Sequence, residues 1–315
     1  MNFVPTIFDG QVYLSNPGWI GWVVFGLFAC LELFLLIQWK GFNRPVTKSR
    51  RGLLLVLVFL VPLTSLFFGL QFSLGSAIPL QISIESSLGP TAMVFAAVPW
   101  ILAGGFFGPG LAAGLALISG ILVSLWGTHN PFIILEYVLL AMLFAAAINQ
   151  KYRTPTFRAL RIPLVTIIAL ILAYPIVNFW SSALSISQNL SPWVTWSLAG
   201  RVEFALAVLP KNLTVIGIGL FTAGIFAQGV AILFPKSWTR PGNLIPSPAE
   251  RSLQNRSIIL IAPFAVLLIF LLLIGDWIIA GNAARNLLQN SMHTITEITS
   301  NNVPIFIEAG QGLME

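Results

Sequence analysis

A chain of 315 residues with 57% hydrophobic and 8% charged positions lies far from the composition of a soluble domain, in which about a quarter of residues are charged. This excludes a soluble globular protein and indicates a polytopic membrane protein. The net charge of +6 does not indicate nucleic acid, because the basic residues sit in short clusters between apolar runs and form no solvated basic domain.

The first apolar run, residues 18–39, is too long for a signal-peptide core and has its positive charge on the wrong side. It is expected to remain in the membrane with the N-terminus outside. Trp19 and Trp22 mark the outer interface and Trp39 the inner one. Lys40, Arg44, Lys48, Arg50 and Arg51 then form an inner loop. The second span is expected over 52–72, with a kink at Pro62. In residues 78–85 apolar and polar positions alternate, which predicts a strand-like segment on the outer face.

The stretch 89–149 is almost free of charge, and its breaks are Gly-Pro pairs, which start helices. It predicts spans at 90–105, 109–126 and 131–149. The first of these is short against the roughly 20 residues needed to cross, so it is either a full crossing or a re-entrant segment. Ala112, Ala116, Gly120 and Ser124 recur at every fourth position, a stripe of small residues that lets another helix approach closely in lipid.

Lys151, Arg153, Arg158 and Arg161 form the next inner cluster, followed by a sixth span at 162–184 that contains Tyr174, Pro175 and Asn178. Residues 185–212 read as an outer segment. Within it Leu198, Val202, Ala205, Leu206 and Leu209 share one helical face, as in an interfacial or half-inserted helix. A seventh span is expected at 213–234, then an extended linker, PGNLIPSPAE, and an eighth span at 257–279. Of the 16 Lys and Arg residues, all but Arg201, Lys211 and Arg285 fall on the inner side of this arrangement. The expected fold is therefore an all-α membrane bundle of about eight transmembrane helices with both ends outside.

Residues 1–256 form the expected multi-span bundle, and 257–315 the last span with an extracytoplasmic stalk. In the stalk Ala284, Leu288, Ser291, Ile295 and Ile298 give one apolar face, and Asn302 and Pro304 end the helix. Such a face needs something to pack on. Either the stalk pairs with a second copy, giving a homodimer, or the chain is the front part of a longer sensory protein.

Ionisable residues inside spans are costly, so each is a site candidate. Glu136 lies nearly two turns into the fifth span with Tyr137 beside it, and His129 and Asn130 form the GTHNP turn just above. His129 and Glu136 are expected to face one outward-opening cavity, with Tyr137 and Asn130 beside them, for a small polar or cationic ligand or for proton sensing. The competing reading is a structurally partnered Glu and a helix-capping turn. Glu32 is expected to pair with the inner Arg cluster, Asp276 to reach headgroups, and Cys30 to be a small buried apolar residue. With one cysteine and two distant histidines, His129 and His293, no metal site or cofactor is expected. No nucleotide, zinc-protease, serine-hydrolase or CxxC motif is present, so no enzyme activity is expected within these residues.

The stretch GPTAMVFAAVPWILAGGFFGPGLAAGLALISGILVSLW resembles the membrane input modules of Lyt-type sensor kinases and the S-components of energy-coupling-factor vitamin transporters. The run from Ser257 to Glu315, with its ARNLLQNSMHTITEITSNNVPIFIEAGQGL segment, resembles the start of an extracytoplasmic sensory domain of the Cache or helical-bundle type. Such a domain normally returns through a further span to HAMP, GAF or histidine kinase modules. The resemblance implies a sensory input region in a bacterial plasma membrane, with the lipid bilayer and an unknown small ligand as partners. The alternative is a small-molecule transporter or its substrate-binding subunit.

Overall fold

The computed structural model describes residues 2–6, 12–71, 91–185, 198–235, 237–238, 244–247 and 250, and scattered positions within 257–300. The expected strand-like segment 78–85, the outer residues 186–197 and the tail from 301 lie outside the described residues. The chain divides into two compact units, Met1–Arg256 and Ser257–Glu315. In the second unit every described position is helical.

The first unit is mostly helical, and among its described residues five helices are long and apolar enough to cross a membrane. They are α1 (Gly18–Gln38), α4 (Pro109–Val123, continued by a π turn at Ser124–Thr128), α5 (Phe132–Asn149), α7 (Pro163–Ser185) and α8 (Leu198–Leu233). Two further helices complete the bundle, α2 (Lys48–Leu66) and the short α3 (Val98–Phe106), and α6 (Pro155–Ala159) lies between α5 and α7. Trp100, Phe107, Phe144 and Tyr174 are the largest side chains fully enclosed among them.

Two expectations are corrected. The second and third spans are not helices throughout: β2 (Phe67–Gln71) follows α2 directly, and β3 (Thr91–Met93) precedes α3. With β1 (Asn2–Thr6) they form an antiparallel sheet of order β1-β2-β3, pairing Val4 with Gly69 and Gly69 with Met93. Non-helical backbone is tolerated at membrane depth only where protein covers it. In β3 and the turn after it that cover is present, since Ala92, Met93, Ala96 and Ala97 are all buried, whereas Phe68 of β2 is exposed. Ser119 of α4 donates to the Ala96 carbonyl in that turn and pairs with Ser65 of α2 at 2.8 Å. The second correction concerns the outer helix and seventh span, which are one continuous helix of 36 residues. Pro210 falls at the expected junction without ending it, and Ala205, Leu206 and Leu209 are buried on the anticipated face.

Small residues set the closest approaches. A Cβ on Gly120 would lie 2.8 Å from the Ile134 backbone, so α4 and α5 touch along the predicted stripe, where Ala112, Ala116 and Ser124 are also buried. A Cβ on Gly219 would lie 3.1 Å from the Met93 carbonyl oxygen, which seats α8 directly on β3.

The turn between α3 and α4 is fixed from the first basic loop. Gly108 takes φ +95°, and the Phe42 carbonyl oxygen occupies the place of a Cβ there. Asn43 Oδ1 accepts from Gly110 N at 2.7 Å, satisfying an N-terminal donor of α4, while Arg50 donates to the Phe106 carbonyl at 2.9 Å. Burial, and then the neighbouring charge of Arg50, pull the Arg44 guanidinium below its ordinary pKa. Elsewhere Tyr152 and Ile245 form a parallel bridge, which ties the described residues 244–247 of the expected linker to the loop after α5.

Candidate functional site

Helix geometry decides where Glu136 points. Gly120 presses α4 against Ile134, and each residue turns the helix by about 100°. Glu136 is therefore carried away from α4 toward α1 and α7. Tyr137, one step further, comes round to α3, where its ring lies 6.0 Å from that of Trp100.

Glu136 is 2% exposed and accepts three hydrogen bonds, all from one face of α7. Tyr174 Oη donates to Oε2 at 2.7 Å, Asn178 Nδ2 donates to Oε1 at 3.2 Å, and Ser181 Oγ donates to Oε1. The donors stand at positions i, i+4 and i+7, the spacing that aligns side chains along a helix. Asn178 also donates to Tyr174 Oη at 3.0 Å, and its Oδ1 accepts from Asn212 of α8 at 3.1 Å and from Ser182 at 3.4 Å. A polar relay thus runs from α5 through α7 to α8 inside the apolar bundle. An acidic residue at the centre of a span costs about 2.5–3.5 kcal/mol on insertion scales, and hydrogen bonds to charged groups return roughly 1.5–3 kcal/mol each. The three donors are therefore enough to hold Glu136 in place.

Glu32 behaves differently from its expectation. It is 5% exposed, makes no ion pair among the described residues, and its Oε1 has no hydrogen-bond partner. The reason is angular, since α1 turns this side chain toward α5 and α7 and away from the basic loop that follows it. Glu32, Glu136 and Ser181 are the polar residues lining a narrow cavity between α1, α5 and α7, closed otherwise by Phe, Leu and Val side chains. Its volume of about 10 Å³ is close to the space needed by one water. A second cavity of about 30 Å³ lies among β3, α3, α5 and α8, lined by Tyr137, Trp100 and Thr128.

The four residues singled out in the sequence are thus distributed over separate places. Glu136 and Tyr137 line different cavities. Asn130 closes the turn before α5, its Oδ1 accepting from Phe132 N at 3.0 Å. His129 adopts the left-handed conformation with φ 54°, stacks on Tyr13 at 3.8 Å and hydrogen-bonds the Tyr13 carbonyl through Nδ1. It lines neither cavity, so the expected His–carboxylate site is not assembled. Cys30 lies on the exposed side of α1, against the expectation of burial. Asp276 is exposed within the second unit.

Sequence reasoning missed Ser181, Ser182 and Asn212, and read Tyr174 and Asn178 without linking them to Glu136. The available signal was the polar series Tyr174, Asn178, Ser181 on one face of an otherwise apolar span. Among the described residues no three His, Cys, Asp or Glu side chains gather as a metal-ligand set. No protein-family model matches the chain, and no curated protein and no solved structure matches it either.

Proposed function

We propose that the chain is a membrane-embedded sensory input module of a bacterial signal-transduction protein, set in the plasma membrane with its N-terminus outside. A small ligand at the Glu136 site would change the packing of α5, α7 and α8. The altered packing would be passed to the helical unit that begins at Ser257, and that unit would pair with a second copy through its apolar face.

The observation that supports this reading is the relay from Glu136 to Asn212. It gives a ligand at one carboxylate a way to favour one packing of three helices over another, which a population shift requires. The alternative, uptake of an organic solute, asks for a pocket of about 300–1,000 Å³. The two cavities described here, about 10 and 30 Å³, are far smaller. Their size leaves room at Glu136 for a water-sized ligand or ion and none for a vitamin-sized substrate.

The test is a comparison of the full chain with its Glu136→Gln variant in lipid vesicles. Thr294→Cys, in a Cys30→Ser background, reports on the second unit through its rate of labelling by an impermeant maleimide. A several-fold change in labelling rate on Glu136→Gln is expected. An unchanged rate, with Glu136-dependent solute flux in the same vesicles, would move the protein to the transporters.

A further inference from the structure

We propose that Glu32 and Glu136 form a proton-binding pair inside the bundle, Glu32 holding the proton and Glu136 the charge. This rests on the reading of the α1–α5–α7 seam as the functional site and names its ligand. Both carboxylates line the same narrow cavity, and both are more than nine-tenths buried.

The donors around them are unequally shared. Tyr174 has one hydroxyl hydrogen, given to Glu136, and Asn178 spends its amide hydrogens on Glu136 and Tyr174. None of these hydrogens goes to Glu32, which lines the cavity and whose Oε1 is buried with no partner. An isolated carboxylate in such surroundings is neutralised or paired.

Among the described residues no basic side chain lines the cavity to supply the missing charge. On α1 the other titratable group is Cys30, on the exposed side. The α3 and α4 sequences carry no charged residue. On α8 Arg201, Glu203 and Lys211 lie outside the cavity lining, and on α5 Tyr137 lines the other cavity. Glu136, with three donors, keeps its charge, and the proton resides on Glu32, whose Oε1 has none. The transfer balances without a co-reactant: one H⁺ from water adds to the pair and takes its charge from two negative to one. A divalent cation fits poorly. Calcium takes six to eight oxygens, and the protein oxygens lining this cavity are those of two carboxylates and one hydroxyl in a space of about 10 Å³.

Infrared spectroscopy of the full chain in dodecyl maltoside reads this directly through the carbonyl stretch of a protonated carboxylic acid. At neutral pH, with a bulky organic cation as the only counter-ion, one such band is expected, shifting in D₂O. Glu32→Gln should abolish it, Glu136→Gln should shift its frequency, and Asp276→Asn should leave it in place. Absence of the band in the parent chain, or its persistence in Glu32→Gln, would overturn the proposal. Loss of the band on adding Na⁺ at fixed pH would also overturn it and assign the site to a monovalent metal cation. Should Glu32→Gln fail to fold by circular dichroism, Ser181→Ala removes a single donor to Glu136 and leaves both acids. A shifted band in that variant supports the pair, and an unmoved one counts against it. The band is read on the bundle and maleimide labelling on the second unit. A band with an unresponsive Thr294→Cys reporter sinks the sensory reading alone, while a responsive reporter without a band sinks the proton pair alone.

Discussion

Asn212 on α8 donates to Asn178 on α7 at 3.1 Å, and Asn178 in turn donates to Glu136 on α5. One amide therefore joins two helices to a buried carboxylate. Asn178→Leu should leave the acid, the Tyr174 hydroxyl and the Asn212 amide short of partners, a loss of about 2 kcal/mol. Asn212→Leu removes only the outer link and should cost about 0.6 kcal/mol, the average for interhelical hydrogen bonds in membranes. Equilibrium unfolding in mixed micelles ranks the two; equal losses would place the centre of the relay elsewhere.

Two glycines on the same helix should respond in opposite directions. A Cβ on Gly120 meets the Ile134 backbone at 2.8 Å, and backbone cannot step aside as a side chain end can. Gly120→Ala should destabilise by about 1–3 kcal/mol through overpacking. Gly114 has nothing within 4 Å of the same position. Gly114→Ala should be neutral or stabilising by up to about 1 kcal/mol from helix propensity alone. The same unfolding assay checks both, and a matching sign would mean that α4 and α5 do not meet at Gly120.

Gly105 and Trp238 should be coupled. A Cβ on Gly105 would lie 2.1 Å from the Trp238 ring, which is 5% exposed and also meets Phe106 edge-on at 5.2 Å. Gly105→Ala should expel the indole and destabilise the bundle. In a Trp238→Ala background the same change should be nearly silent, giving an interaction energy of about 1–3 kcal/mol in a double-mutant cycle. Additive losses would show that the ring is free to move.

The bridge between the loop after α5 and the segment at Ile245 should depend on backbone more than on charge. Arg153 and Glu250 are 2.7 Å apart, but the Arg153 side chain is 61% exposed, so Glu250→Gln should cost less than about 1 kcal/mol and less still at high salt. Ile245→Pro removes the N–H that donates to the Lys151 carbonyl at 2.9 Å and should open this loop pair to protease. Faster cleavage of Glu250→Gln than of Ile245→Pro would reverse that order.

The parts of the fold legible in the sequence were those written in local rules. A Gly-Pro break located the start of α4 and Pro131 that of α5, and the four-residue stripe through Gly120 marked the face of α4 on which the two helices touch. The sheet was illegible because Phe67–Gln71 continues an apolar run, and a short apolar run does not tell strand from helix. The outer segment and the seventh span read as separate because Arg201, Glu203 and Lys211 interrupt the apolar run, yet one helix carries the chain through all three. At the site, Glu136 was recognisable as an acid in a span. Its partners were not, because Tyr174, Asn178 and Ser181 lie a whole helix and loop away in the chain. Glu32 was assigned to the arginines nearest in sequence, whereas its direction around α1 brings it to the cavity.

The seat of Gly219 on the Met93 carbonyl has a bearing on how the protein is made. Residues 91–97 emerge from the ribosome long before α8, and their strand and turn have no helical ladder of their own to satisfy the backbone against lipid. Pairing with β2 covers one edge, but the wall behind Met93 arrives only with the later helix. The cover over β3 is therefore completed by a part of the chain synthesised after it.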